Sequence, residues 1–160
     1  IDGETMENYI AENYQDNYAM AMLCYRFCKM AAWLRSQPFA HGDIKPDNIM
    51  VRPDGSLTLI DYDGMFVSAM KGQKSPTIGT KDFSHPLRTV DDFDETIDDF
   101  ALASIALSLK TITLNPSFMY NKVKSKPYKD ICIFLVAHKL KWKGIEPEVH
   151  NPYIPISYFV

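Results

Sequence analysis

His41-Gly42-Asp43-Ile44-Lys45-Pro46-Asp47-Asn48-Ile49-Met50-Val51 is the stretch on which the reading of this chain turns. It sets an acid, a cation and an amide at fixed offsets in one short loop: Asp43, Lys45 and Asn48. Phosphoryl transfer uses such a set. A carboxylate takes the proton of the attacking hydroxyl, a cation neutralises the moving group, and an amide oxygen helps to hold Mg²⁺. The plain alternative is a loop whose Asp, Pro and Asn only make turns.

The residues that follow weigh against that alternative. Ile49-Met50-Val51 and Leu57-Thr58-Leu59-Ile60 are rich in β-formers and read as two short strands. Pro53-Asp54-Gly55 between them is a turn signal. A hairpin of this size folds Asp61 back beside Asn48. Two oxygen ligands on adjacent strand ends suit a hard cation such as Mg²⁺, which keeps waters and takes phosphate oxygens for the rest.

The pattern H-x-D-x-K-x-x-N resembles the catalytic loop of eukaryotic-like Ser/Thr protein kinases. Asp61-Tyr62-Asp63-Gly64 resembles the D-F-G segment that lies one short hairpin beyond it in that family. The resemblance implies ATP and Mg²⁺ as cofactors. Asp43 would position and deprotonate a Ser/Thr hydroxyl, and Lys45 would neutralise the γ-phosphoryl group. Asn48 and Asp61 would hold the metal, and Met50 would lie beneath the adenine. His41 would brace the loop rather than act as a base. Asp63 stands where the family has Gly. It is either half of an ordinary turn pair with Gly64 or a further carboxylate near the metal, and it removes a permissive backbone position.

Gly79-Thr80-Lys81-Asp82-Phe83-Ser84-His85-Pro86 resembles the end of a kinase activation segment, G-T-x-x-Y-x-A-P-E. Leu87 replaces the final Glu. All four Arg (Arg26, Arg35, Arg52 and Arg88) precede residue 111, so the late Arg that pairs with this Glu is missing too. Gly42 stands where many kinases have an Arg that docks a phosphate on the activation segment. The resemblance therefore implies no activation by phosphate at Ser75, Thr77 or Thr80 through that contact.

Two helices frame these motifs. Leu23, Phe27, Met30 and Leu34 recur at helical spacing over Tyr18–Leu34, with Trp33 alongside and Pro38 beyond the end. Its Met and aromatic residues, and Cys24 and Cys28 one turn apart, read as core. Residues 98–109 are apolar nearly all round, so a helix there is buried on most faces. Thr96 or Asp94 would cap it. This helix resembles the central buried helix of the kinase C-lobe, where the residue matching Asp98 braces the catalytic loop through backbone amides.

Composition sets the outer limits. The chain has 160 residues, 46% of them hydrophobic, enough for one domain with a real core. Three Cys without framework spacing suggest a reducing, cytoplasmic location. No apolar run is long enough for a membrane span, and no signal peptide is visible. A net charge of −3 argues against nucleic acid as a general partner. Residues 1–110 carry ten basic and seventeen acidic side chains, whereas residues 111–160 carry seven Lys and three acids. The tail is thus distinct, and Tyr128–Lys141 within it reads as an amphipathic helix.

The expected fold is α+β and mainly α-helical. It is a protein-kinase-like C-terminal lobe with a small catalytic β-hairpin, the N-lobe being absent from this chain. Residues 1–110 would form that lobe and residues 111–160 a shortened basic extension. No G-x-G occurs anywhere. Ile1-Asp2-Gly3-Glu4-Thr5-Met6 resembles the stretch just after the kinase hinge, which implies a ribose contact for Glu4. The expected partners are a protein substrate with Ser/Thr hydroxyls and an N-lobe supplied upstream or in trans, with no nucleic acid and no membrane. Two rivals stand beside this reading. One is a small-molecule kinase of the aminoglycoside-phosphotransferase type, which His41-Gly42-Asp43 and Ile60-Asp61 also resemble. The other is a non-catalytic pseudokinase or partner-binding lobe.

Overall fold

Two acid- or hydroxyl-capped helices open the chain. In the computed structural model, which describes residues 2–114 and 116, Thr5 accepts the Asn8 amide through Oγ1 and starts α1, Met6–Asn13. Asp16 accepts the amides of Tyr18 and Ala19 at 2.9 and 3.0 Å and starts α2, Asn17–Leu34. Such caps satisfy helix N–H groups that have no partner within the helix. Met20, Leu23, Phe27 and Leu34 form the buried stripe of α2. The expected helix is therefore present, one residue longer at its start.

Some of its side chains face the other way. Cys24 is half-buried and packs against the main core, whereas Cys28, Tyr18, Tyr25 and Trp33 are exposed, so these four are not core residues. Cys24 and Cys28 each follow a buried residue by one position, which turns them about 100° off the stripe. Burial and the neighbouring Cys28 push the Cys24 thiol up to about 11, which leaves it a poor nucleophile at neutral pH.

Short strands then build two small sheets. β1 (Glu4–Thr5), β3 (Ile49–Val51) and β4 (Leu57–Leu59) form an antiparallel sheet in the order β1-β3-β4. The expected hairpin is its β3–β4 half, with Ile49 opposite Leu59 and Val51 opposite Leu57. β2 (Phe39–Ala40) pairs with β5 (Phe66–Val67), which joins the entry to the His41 loop to the exit from the Asp61 segment. Phe66 meets Phe93 edge to face at 5.1 Å in a small satellite core.

The last described helix is α3, Asp99–Leu114. It packs on α2, and its buried residues, including Ala101, Ile105, Leu109 and Ile112, join Met20, Phe27, Ile44 and Ile49 in the main core. Buried Ser104 and Ser108 donate to the carbonyls of Phe100 and Ser104, so no hydroxyl is left bare. Arg35 pairs with Asp99 at 3.0 Å and ties the end of α2 to the start of α3. The Asp94 carboxylate is engaged by the amide and hydroxyl of Thr96 in the turn before the helix. α3 runs without a break through residue 110. The expected helix Tyr128–Lys141 lies outside the described residues. Among the described residues, no helix is long and apolar enough to cross a membrane.

Candidate active site

The loop between β2 and β3 is held from below by α3. Asp98, almost fully buried just before the helix, accepts the His41 amide at 2.5 Å and the Gly42 amide at 2.9 Å. Burial pushes this carboxyl above its ordinary range, and the two amides with His41 and Arg88 pull it back only in part. Gly42 has φ +86, and a Cβ there would lie 2.0 Å from the Gly64 carbonyl oxygen. Only glycine lets these two backbones touch.

His41 is buried and locks the loop to the second strand. Its Nε2 bonds the Ile60 carbonyl at 2.9 Å, and its Nδ1 receives the Asp43 amide at 3.3 Å. A carbonyl only accepts and an amide N–H only donates, so Nε2 carries the proton. The brace expected of His41 is the geometry observed.

The polar end of the loop converges on Asp43. The Thr80 amide donates to its Oδ1 at 2.6 Å, and Lys45 Nζ lies 3.1 Å from its Oδ2. Lys45 Nζ also donates to Thr80 Oγ1 at 3.1 Å. Asn48 Nδ2 donates to the Asp43 carbonyl at 2.9 Å and to its Oδ2 at 3.3 Å. Burial acts to raise the Asp43 carboxyl. The bonds from Thr80 and Lys45 outweigh it and hold the group below the usual carboxylate range. Asp43 is thus ionised at neutral pH. Thr80 comes from a segment 37 residues away.

The hairpin brings Asp61 to the same end. The Ile60 amide donates to the Asn48 carbonyl at 3.0 Å, so Asp61 directly follows the residue paired with Asn48. Asp61 is exposed and adopts φ +65, a left-handed conformation uncommon outside glycine. With the Asn48 nitrogen engaged by Asp43, its amide oxygen is the atom that remains for a cation. Among the described residues, no group of three or more His, Cys, Asp or Glu stands ready for a metal. Asn48 and Asp61 fit Mg²⁺ only as a two-oxygen set completed by phosphate and water, the usual arrangement for that ion.

Asp63-Gly64 resolves as the ordinary turn pair. Met65 N–H closes on the Tyr62 carbonyl at 3.0 Å, and Asp63 has no positive φ. Tyr62 tilts over His41 with ring centres 5.1 Å apart, and its hydroxyl donates to the Leu59 carbonyl.

Of the two residues expected at the nucleotide's base and sugar, Met50 lies on the central strand β3 and Glu4 on the edge strand β1. Met50 stands opposite Thr5 and Thr58, and Glu4 stands opposite Val51. Alternate positions of a strand point to opposite faces, so Glu4 and Met50 do not share a face. A cavity of about 360 Å³ is lined by Tyr62, Asp63, Met65, Met70, Lys74 and Phe93 among others. Asp43, Lys45 and Asn48 do not line it, so it is not where the polar groups converge.

One group beside the loop has no counterpart in the sequence reading. Arg88 reaches the backbone of Gly42, and its Nη1 donates to the Gly42 carbonyl at 3.1 Å. No sequence motif marks this contact, which spans 46 residues.

Asp43 and Lys45 are thus locked to Thr80 of a later segment, Asn48 is bonded to Asp43, and a second Asp stands at the hairpin end, and the chain is similar to known kinases. The chain is 27% identical to an Aurora kinase of Saccharomyces cerevisiae over 108 residues, 67% of this chain and 29% of that protein. The chain is protein-kinase-like. It is 29% identical to an Aurora kinase of Candida glabrata over 133 residues, 82% of this chain and 36% of that protein. Sperm motility kinase 2A of Mus musculus is 44% identical over 55 residues, 34% of this chain and 11% of that protein. The kinase-like chain thus spans roughly a third of the Aurora kinases it matches, 29% in one and 36% in the other. No family model matches it.

Proposed function

We propose that this chain is the catalytic C-terminal lobe of a Ser/Thr protein kinase, transferring the γ-phosphoryl group of ATP to protein hydroxyls. It works with an N-lobe supplied upstream or in trans. The observation that carries this reading is the Asp43 carboxylate bridging the Thr80 amide and the Lys45 ammonium.

In this reading the substrate hydroxyl lies against Asp43, which orients it and takes its proton. The γ-phosphoryl group passes to the hydroxyl oxygen, and ADP leaves. Lys45 offsets the charge that spreads over the phosphoryl oxygens. Asn48 and Asp61 would hold Mg²⁺, which would supply charge neutralisation at the phosphates. Met50 forms the floor of the adenine site. Glu4 lies on the opposite face from Met50, so its ribose contact requires the side chain to turn around the sheet edge. Most of the rate gain in this chemistry comes from positioning.

Thr80 favours a protein substrate over a small molecule. It ties the segment Gly79–Pro86 to the base and to Lys45, where an incoming peptide strand is presented in protein kinases. The test uses the protein joined to its native N-lobe, with labelled ATP, Mg²⁺, a Ser/Thr peptide library and an aminoglycoside panel. Label on peptides is the expected result. Label on aminoglycosides alone supports the small-molecule rival, and label on neither supports the non-catalytic one.

A further inference from the structure

Gly42, the residue before Asp43, is gripped through both of its backbone groups. Asp98 accepts the Gly42 N–H, and Arg88 Nη1 donates to the Gly42 carbonyl at 3.1 Å. The other arm of the guanidinium, Nη2, donates to the Thr77 carbonyl at 3.4 Å. Thr77 in turn accepts the Gly79 amide through Oγ1 at 3.0 Å, and the next residue, Thr80, donates to Asp43. One side chain therefore holds both segments whose meeting defines the Asp43 carboxylate: one residue before Asp43 and three before Thr80.

This placement carries a cost. Arg88 is half-buried, and its Nε is buried without a hydrogen-bond partner among the described residues. Burial pulls the guanidinium below its ordinary value, and Asp98, Asp43, Asp92 and Asp94 pull it back. A buried unpaired donor is unfavourable, so the contact is not a generic surface ion pair. Two carbonyls from segments far apart in the chain, at Gly42 and Thr77, call for a planar fork, which Arg has and Lys lacks.

We infer that Arg88 is a positioning residue for phosphoryl transfer, its fork fixing the Gly42 and Thr77 carbonyls so that Asp43 and the Thr80 amide meet in register. It touches no reacting atom and acts through those two carbonyls. The inference rests on the reading of Asp43 as the group that orients the hydroxyl.

The test uses the protein with its native N-lobe and the variants Arg88→Ala and Arg88→Lys. Arg88→Ala is expected to lower kcat by about 100-fold, the scale of an ångström of misplacement, with KM for ATP nearly unchanged. Arg88→Lys recovers only part of the loss. Millimolar guanidinium restores turnover to Arg88→Ala and does nothing for the parent protein. Amide exchange at Gly42 and Thr80 speeds up in Arg88→Ala while α2 and α3 keep their protection. Full kcat in Arg88→Ala overturns the inference. So does a loss that guanidinium does not rescue and that accompanies lost protection in α2 and α3, because Arg88 is then only a structural staple. Should the parent protein transfer no phosphoryl group, the functional reading fails. Exchange at Thr80 then decides the clamp: faster in Arg88→Ala supports it, and unchanged overturns it.

Discussion

The Thr80 amide donates to Oδ1 of Asp43 at 2.6 Å across 37 residues of sequence. This bond leaves Oδ2 to Lys45 at 3.1 Å and fixes which way the carboxylate faces. It also joins the Asp43 loop to the segment Gly79–Pro86.

Thr80 contributes a backbone donor and a side-chain acceptor, and a variant separates them. Thr80→Ala keeps the amide bond to Asp43 and loses the Lys45 tether. Peptide phosphorylation is expected to fall about fivefold, in line with the loss of one hydrogen bond of about 1 kcal/mol. Slow ATP hydrolysis is spared, and Thr80→Ser restores transfer. Steady-state kinetics on peptide and on water as acceptors compare the two. Equal losses in both reactions contradict a role in presenting the peptide.

Asp98 braces two consecutive amides, which needs an acceptor at both carboxylate oxygens. Asp98→Asn turns an amide nitrogen toward one of those donors and strands it. The expected cost is about 1–3 kcal/mol in urea unfolding. The buried charge of Asp98 is itself unfavourable, so part of this cost is returned, and the lower end of that range is expected. An unchanged unfolding midpoint rejects the brace.

The pH dependence has a defined sign. The Asp43 carboxyl titrates below its ordinary value of 3.8 in the folded chain. Its contribution to stability is fully present above that ordinary value and is lost as pH falls through the lowered folded value. Asp98 is raised instead. The cost of its buried charge is present above the raised value and is relieved as pH falls through it. The stability difference between the parent chain and Asp43→Asn is thus expected to be flat across neutral pH and to shrink below about pH 4. Thermal unfolding from pH 3 to pH 8 measures it, and a difference that shrinks near pH 6 contradicts the assignment.

Asp61 is read as the charged metal ligand. Asp61→Asn is expected to weaken nucleotide binding in Mg²⁺ and to leave binding without Mg²⁺ almost unchanged. Calorimetric titration with and without Mg²⁺ separates the two terms. Equal weakening under both conditions removes Asp61 from the metal site.

Much of this site was legible because its geometry is local. Asp43, Lys45 and Asn48 share one loop, and a turn of Pro53-Asp54-Gly55 sets the hairpin that returns Asp61. α2 and α3 announced themselves through Leu23, Phe27 and Leu34, and through the unbroken apolar run after Asp98. Other features left no such trace. β1 is only two residues long, too short for any alternation to show that Glu4 and Met50 lie on opposite faces. Trp33 and Cys28 look like core by residue type, and only the angular position of the buried stripe turns them outward. Arg88 reaches Gly42 through an irregular segment without periodicity, and a tertiary contact of that kind has no local signature.

The most direct test of the account is the turnover and MgATP affinity of Asp43→Asn, measured in the protein joined to its native N-lobe. The variant keeps the size of the side chain and removes the proton acceptor. The account predicts a fall in kcat of roughly 10²–10⁴, the range for losing a general base, with nucleotide affinity nearly intact. Full turnover in Asp43→Asn contradicts it.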